Sequence, residues 1–127
     1  MKNLFLSFLL VSIFTCLVFS CTKKTGPDEP IITITNPTDT TTINTGDTVQ
    51  IKGTVSDNVD LHEFYLTIKN NTTDSTVASD NPYVHGGKTF SFDYAWIAID
   101  SAVYKLTVKV IDHDSHTSTK EVLIHVN

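Results

Sequence analysis

Between Asp100 and Val110 the chain alternates apolar and polar positions: Tyr104, Leu106, Val108 and Val110 share one face, Lys105, Thr107 and Lys109 the other. Period-two alternation rich in β-branched and aromatic residues predicts a half-buried strand, with one face on a core and one in water. The same period recurs along the chain. Ile31–Thr35 predicts a first strand, ended by Asn36-Pro37, and Thr48–Ser56 a second with Val49, Ile51, Gly53 and Val55 in phase. A glycine in that inward row predicts a bulge or a neighbouring side chain packed closely against it. Leu61–Lys69 carries Phe64, Leu66 and Ile68 inward, and Thr76–Ser79 is short and weak, as expected of an edge strand. Lys88–Trp96 lines up Phe90, Phe92, Tyr94 and Trp96 as an aromatic core stripe, and Thr119–Val126 closes the set with Val122, Ile124 and Val126.

Between these runs lie turn-forming clusters: a Thr-rich crossing (TDTTTINTGD), then DNVD at 57–60, NNTTDS at 70–75, DNPYVHGG at 80–87 and DHDSHTS at 112–118. No segment holds a helical period, and no internal repeat is visible. About seven strands at this spacing predict an all-β antiparallel sandwich over residues 31–127.

The leader changes the picture of where that domain sits. Met1-Lys2-Asn3 is a short positive head, and the apolar run Leu4–Phe19 is shorter than the about 20 residues of a membrane helix. Residues 1–20 therefore read as a secretory signal. The run ends in Val18-Phe19-Ser20-Cys21, which resembles a bacterial lipobox; Phe19 departs from the small residue usual before Ser20. That resemblance implies lipidation at Cys21, and residues 21–30 (CTKKTGPDEP) then form a tether of at most ~30 Å to the membrane. With Cys16 inside the signal, neither of the two cysteines is left for a disulfide, so the domain must stand on its core.

Charge excludes one class of partner. The formal net charge is −5, and all nine basic residues are Lys. Without Arg or a basic patch, nucleic acid is not an expected partner.

Tyr104 at the head of its strand resembles the tyrosine corner of immunoglobulin-like sandwiches. The lipobox, the segment EPIITITNP, the segment GTVSDNVDLHEFYLTI and the ending YKLTVKVIDHDSHTSTKEVLIHV together resemble the small immunoglobulin-like lipoproteins of Bacteroidetes, many with no assigned function. Leu106 stands where antibody domains carry their second Cys, and the third strand offers Phe64 and Leu66 in place of their Trp. The resemblance implies an immunoglobulin-like sandwich anchored in the outer membrane, on its periplasmic face or at the cell surface.

If the strands run antiparallel in sequence, the loops at 57–60, 80–87 and 112–118 emerge at one pole, where the tether also arrives. This gathers Asp57, Asp60, Asp80, His85, Asp112, His113, Asp114 and His116, with Asp28 and Glu29 nearby. From that set Asp57, Asp60, Asp112, Asp114, His85 and His116 are the candidate metal ligands, for Ca²⁺ first and Zn²⁺ second. Asp and Asn also end strands through local side-chain to backbone bonds, which accounts for the same residues without a metal. His62 and His125 fall in strands and read as surface or half-buried residues. Hydrolase, metalloprotease and phosphate-loop motifs are absent from the sequence, so no enzyme is expected. Two functions remain. The first is a structural or interaction module contacting another envelope protein through an edge strand or the loop pole. The second is a glycan-binding or metal-dependent nutrient-capture accessory, for which Tyr65 and Tyr83 are the candidate exposed rings.

Overall fold

The computed structural model describes residues 29–127, so the expected signal, Cys21 and the expected tether up to residue 28 lie outside the described residues. Eight strands form: β1 Ile31–Asn36, β2 Thr41–Ile43, β3 Thr48–Ser56, β4 Leu61–Asn70, β5 Thr76–Asp80, β6 Thr89–Ile97, β7 Ala102–Asp112 and β8 Thr117–Val126. Among the described residues there is no helix. One sheet has the order β1-β3-β6 and the other β2-β8-β7-β4-β5. Together they make an immunoglobulin-like sandwich.

The added strand is β2. It arises inside the Thr-rich crossing, where three residues pair in parallel with Thr41 opposite Ile124 and Ile43 opposite Val126. A strand this short has no periodicity to read; it exists because β8 offers it an edge.

Alternation places the core as the pattern predicts. On β3 the inward Val49, Ile51, Gly53 and Val55 are buried, and on β7 so are Tyr104, Leu106, Val108 and Val110. Aromatic rings bridge the two sheets. Phe64 of β4 meets Phe90 and Phe92 of β6 at centroid separations of 5.1 and 5.2 Å, and Trp96 of β6 meets Tyr104 of β7 edge-on at 4.8 Å. The Tyr104 hydroxyl donates to the Asp100 carbonyl at 3.2 Å, which is the tyrosine corner in its expected place. Burial first, and the Asp100 charge second, push the Tyr104 phenol above its ordinary value.

Gly53 explains itself in this packing. A Cβ there would fall on the Thr33 carbonyl oxygen and on the Phe92 ring. The glycine lets β1 and the β6 ring close on the same point of β3, beside a register shift in β1 between Ile34 and Asn36.

Asp112 is the only charged or polar residue buried among the described residues, at 1% exposure. Its Oδ1 accepts the His116 backbone N–H at 2.8 Å, and its Oδ2 lies 2.9 Å from His116 Nδ1. Both oxygens thereby close the β7–β8 turn, in which Ser115 takes a φ of 69°. Burial pushes the carboxyl up. The hydrogen bonds from the His116 side chain and backbone, its charge and the Asp114 N–H outweigh that and hold it below the ordinary 3.8.

Two consequences are measurable by chemical denaturation. Gly53→Ala should lose about 1–3 kcal/mol, because carbonyl and ring must both move. Asp112→Asn should lose about 2 kcal/mol, since an amide cannot accept both bonds as a carboxylate does. A carboxyl whose folded value is depressed contributes stability above its unfolded value and loses it as pH falls through the folded one. The wild type should therefore weaken as pH drops through and below 3.8, and the variant should show a flatter acid limb.

Candidate functional site at the loop pole

Strand direction gathers the chemistry. Antiparallel pairing puts Ile31 opposite Ser56, so the described chain arrives beside the turn at 57–60. The loops after β3, β5 and β7 come together there and are tied through backbone. Asp57 N–H donates to Lys88 O at 2.9 Å, Leu61 N–H to Gly87 O at 2.7 Å, Gly86 N–H to Leu61 O at 3.2 Å and His113 N–H to Asp60 O at 3.0 Å. Gly86 sits at φ 90°, which gives the 81–88 loop the left-handed residue its turn requires.

From this frame three imidazoles project into one exposed cluster: His62, His85 and His113. Ring centroids are 5.4 Å apart for His62 and His85, 4.8 Å for His62 and His113, and 4.4 Å for His85 and His113. One potential ligand atom from each lies within 4.8 Å of the others. Three neutral imidazoles at such range can hold a borderline divalent ion.

His62 reaches the cluster through a bulge. The β4–β7 ladder pairs Leu61 with Asp112 and then Glu63 with Ile111, leaving His62 the extra residue. A bulge re-aims the side chain it carries, and alternation alone does not reveal it. The available signal was position: His62 follows the DNVD turn directly and so lies at the pole whatever its face.

The six residues read as ligands divide. His85 belongs to the cluster. Asp112 and His116 are engaged with each other and close a turn. Asp57 Oδ1 accepts the Val59 N–H at 2.9 Å, an Asx turn that shapes the 57–60 loop. The Asp60 carbonyl receives His113, and the Asp114 N–H supports the Asp112 carboxylate. Asp57 and Asp112 thus shape the loops through their side chains and Asp60 and Asp114 through backbone, and His62, His85 and His113 project from this frame.

Tyr65 and Tyr83 share a shallow groove beside the cluster, of about 230 Å³, with His62, Glu63 and Asn81 in its wall. Tyr83 is 85% exposed and stacks on His85 at 5.8 Å. Tyr65 is half-buried, and its hydroxyl donates to Glu63 Oε2 at 2.7 Å. That hydrogen bond, then burial and the Glu63 charge, push its phenol up.

A second concavity lies away from the pole. Among the described residues β5 pairs only with β4 and β6 only with β3, so each ends its sheet. Between the two edges runs an open cleft of about 560 Å³, lined by Thr76–Ser79, Tyr94, Trp96, Ile97 and Ile99. Val77, Ile97 and Ile99 are 42%, 57% and 69% exposed.

Comparison with known proteins places the chain in a family. No curated protein matches the chain. Among solved structures it is similar to an engineered protein (TM-score 0.54, 13% identity, 80% of this chain and 21% of that one). It is similar also to OgpA from Akkermansia muciniphila (TM-score 0.55, 13% identity, 80% of this chain and 28% of that one). The CARDB domain of a Pyrococcus furiosus protein, in complex with di-metal ions, aligns at TM-score 0.45 and 11% identity over 81% of this chain and all of that one. The chain spans less than a third of the first two proteins, and at such identities the likeness concerns the fold alone. Residues 19–99, more than half of the chain and reaching just past β6, match the model of a family described as a domain of unknown function, and the protein belongs to that family, DUF4625.

Proposed function

We propose that the protein is a lipid-anchored, non-catalytic binding module of the bacterial cell envelope, which receives an extended segment of another envelope protein at its open side. The observation that carries this reading is the cleft between β5 and β6. Two strands that each end a sheet face it, and exposed Val77, Ile97 and Ile99 give it apolar contacts. An unpaired strand edge presents a row of N–H and C=O groups that an added strand satisfies, while side chains at alternate positions take up the apolar surface. The anchor rests on Val18-Phe19-Ser20-Cys21, as in the Bacteroidetes lipoproteins that the chain resembles. The periplasmic face of the outer membrane is favoured over the cell surface, because Thr22-Lys23-Lys24 follow Cys21 where surface export would call for acidic residues.

One observation favours a second reading. Tyr65 and Tyr83 border one groove with Glu63 and Asn81, an arrangement of ring, carboxylate and amide that suits a glycan.

Metabolic labelling with a fatty-acid analogue should mark the wild-type chain and partition it into detergent. Cys21→Ala should abolish both, and label retained in that variant would refute the anchor. A photo-crosslinking residue placed at Val77 or Ile97 in the native envelope should yield discrete protein adducts, and one at Lys109, on the outer face of β7, should not. Silence at 77 and 97, with adducts only near Tyr83, would move the reading to the groove and its glycan.

A further inference from the structure

We propose that His62, His85 and His113 form a Zn²⁺ site at the loop pole, with the ion's fourth position open to solvent. The inference is independent of the partner cleft and of the lipid anchor.

Distance is the first argument. Zn²⁺ takes imidazole nitrogen at about 2.0–2.1 Å, so tetrahedral ligands lie about 3.4 Å from one another. The three candidate donor atoms already fall within 4.8 Å. The remaining distance of roughly 1.4 Å is within the reach of side-chain rotation, since all three histidines are exposed.

Backbone preorganisation is the second. His113 is itself bonded to Asp60, Gly86 beside His85 is bonded to Leu61, and Leu61 beside His62 is bonded to Gly87. Each histidine therefore sits on, or next to, a residue of the network that ties the three loops together. Ligands held by fixed backbone lose little freedom on binding. The bulge at His62 adds to this, because a regular β4–β7 ladder would pair His62 and change the direction in which it projects.

The third argument is the surroundings of His62. The Glu63 carboxylate has one oxygen 3.8 Å from His62 Nδ1, at ion-pair range and beyond a hydrogen bond, while its other oxygen accepts the Tyr65 hydroxyl at 2.7 Å. A rotation of the exposed His62 ring that shortened this contact to a hydrogen bond would let Glu63 direct the other ring nitrogen at a metal. Glu63 is thus a positioning residue and Tyr65 its support. This gives the pair a role that the groove alone does not.

Donor chemistry selects the ion. Three nitrogens suit Zn²⁺ and its transition-metal neighbours, whereas Ca²⁺ requires six to eight oxygens. The nearby carboxylate of Asp112 is turned into the β7–β8 turn and held there. Three protein ligands on an exposed face leave a coordination position for water or for a donor from another molecule.

The test uses the intact chain in detergent, titrated with ZnCl₂ by calorimetry and followed by long-range ¹H–¹⁵N spectra of the imidazoles. One equivalent should bind, with shifts at His62, His85 and His113 and none at His116 or His125. His62→Asn, His85→Asn and His113→Asn should each weaken binding by at least about tenfold, and Glu63→Gln by about tenfold. His125→Asn should leave it unchanged. All these side chains are wholly or partly exposed, so metal-free melting of the variants should match the wild type, and a variant that fails this check is replaced by the wild-type spectra, which identify the ligands without substitution. The proposal is overturned if Zn²⁺ produces no saturable heat, if binding survives loss of His62 and His113 together, or if the shifts centre on His116. A saturable response to Ca²⁺ at the same pole would also overturn it, because that would assign the site to carboxylates.

Discussion

The two sheets are held at their spacing by rings that cross between them. Phe64 reaches Phe90 and Phe92, and Trp96 reaches Tyr104, so β4 and β7 of one sheet are locked to β6 of the other. Rings such as these bury large areas and favour tilted or edge-on contact, which sets separation and orientation together. Gly53 belongs to the same constraint: the Phe92 ring occupies the place a side chain would take. With β3, β4, β6 and β7 fixed in this way, the positions of the loops that leave them follow.

This division of labour accounts for the pole. Among the described residues the core strands carry almost no polar chemistry, and the buried Asp112 carboxylate serves to close a turn. In the loops Asp57 and Asp112 accept nearby backbone N–H groups, and these help shape the platform from which His62, His85 and His113 project. Function on such a fold depends on what the rigid strands hold at their ends. The pole and the β5–β6 cleft are separate surfaces, so an ion at one and a peptide at the other would not compete for the same residues.

Much of the fold was legible because each strand has a buried row and a wet row, and a period of two can be counted. The rows of β3, β4, β6 and β7, the edge position of β5 and the Tyr104 corner all come from that alternation and from one well-placed tyrosine. The convergence of three loops at one pole followed from antiparallel order alone. β2 was not legible, since three residues carry no period and owe their pairing to β8. Among the candidate ligands, the sequence shows His85 as a loop residue, whereas alternation makes His62 an ordinary strand residue.

The sequence by itself determined the class of fold, the identity of the inward rows and the end of the molecule at which reactive side chains collect. These depend on local periodicity and on the direction of successive strands. Tertiary structure decided which of those side chains meet. Register shifted by one residue between Leu61 and Glu63 to bring His62 to His113, and the β7–β8 turn drew Asp112 and His116 into a pair. A carboxylate or an imidazole looks the same in a sequence whether it closes a turn or faces an ion. The difference lies in a few ångströms of backbone position, which are set by pairing between segments far apart in the chain.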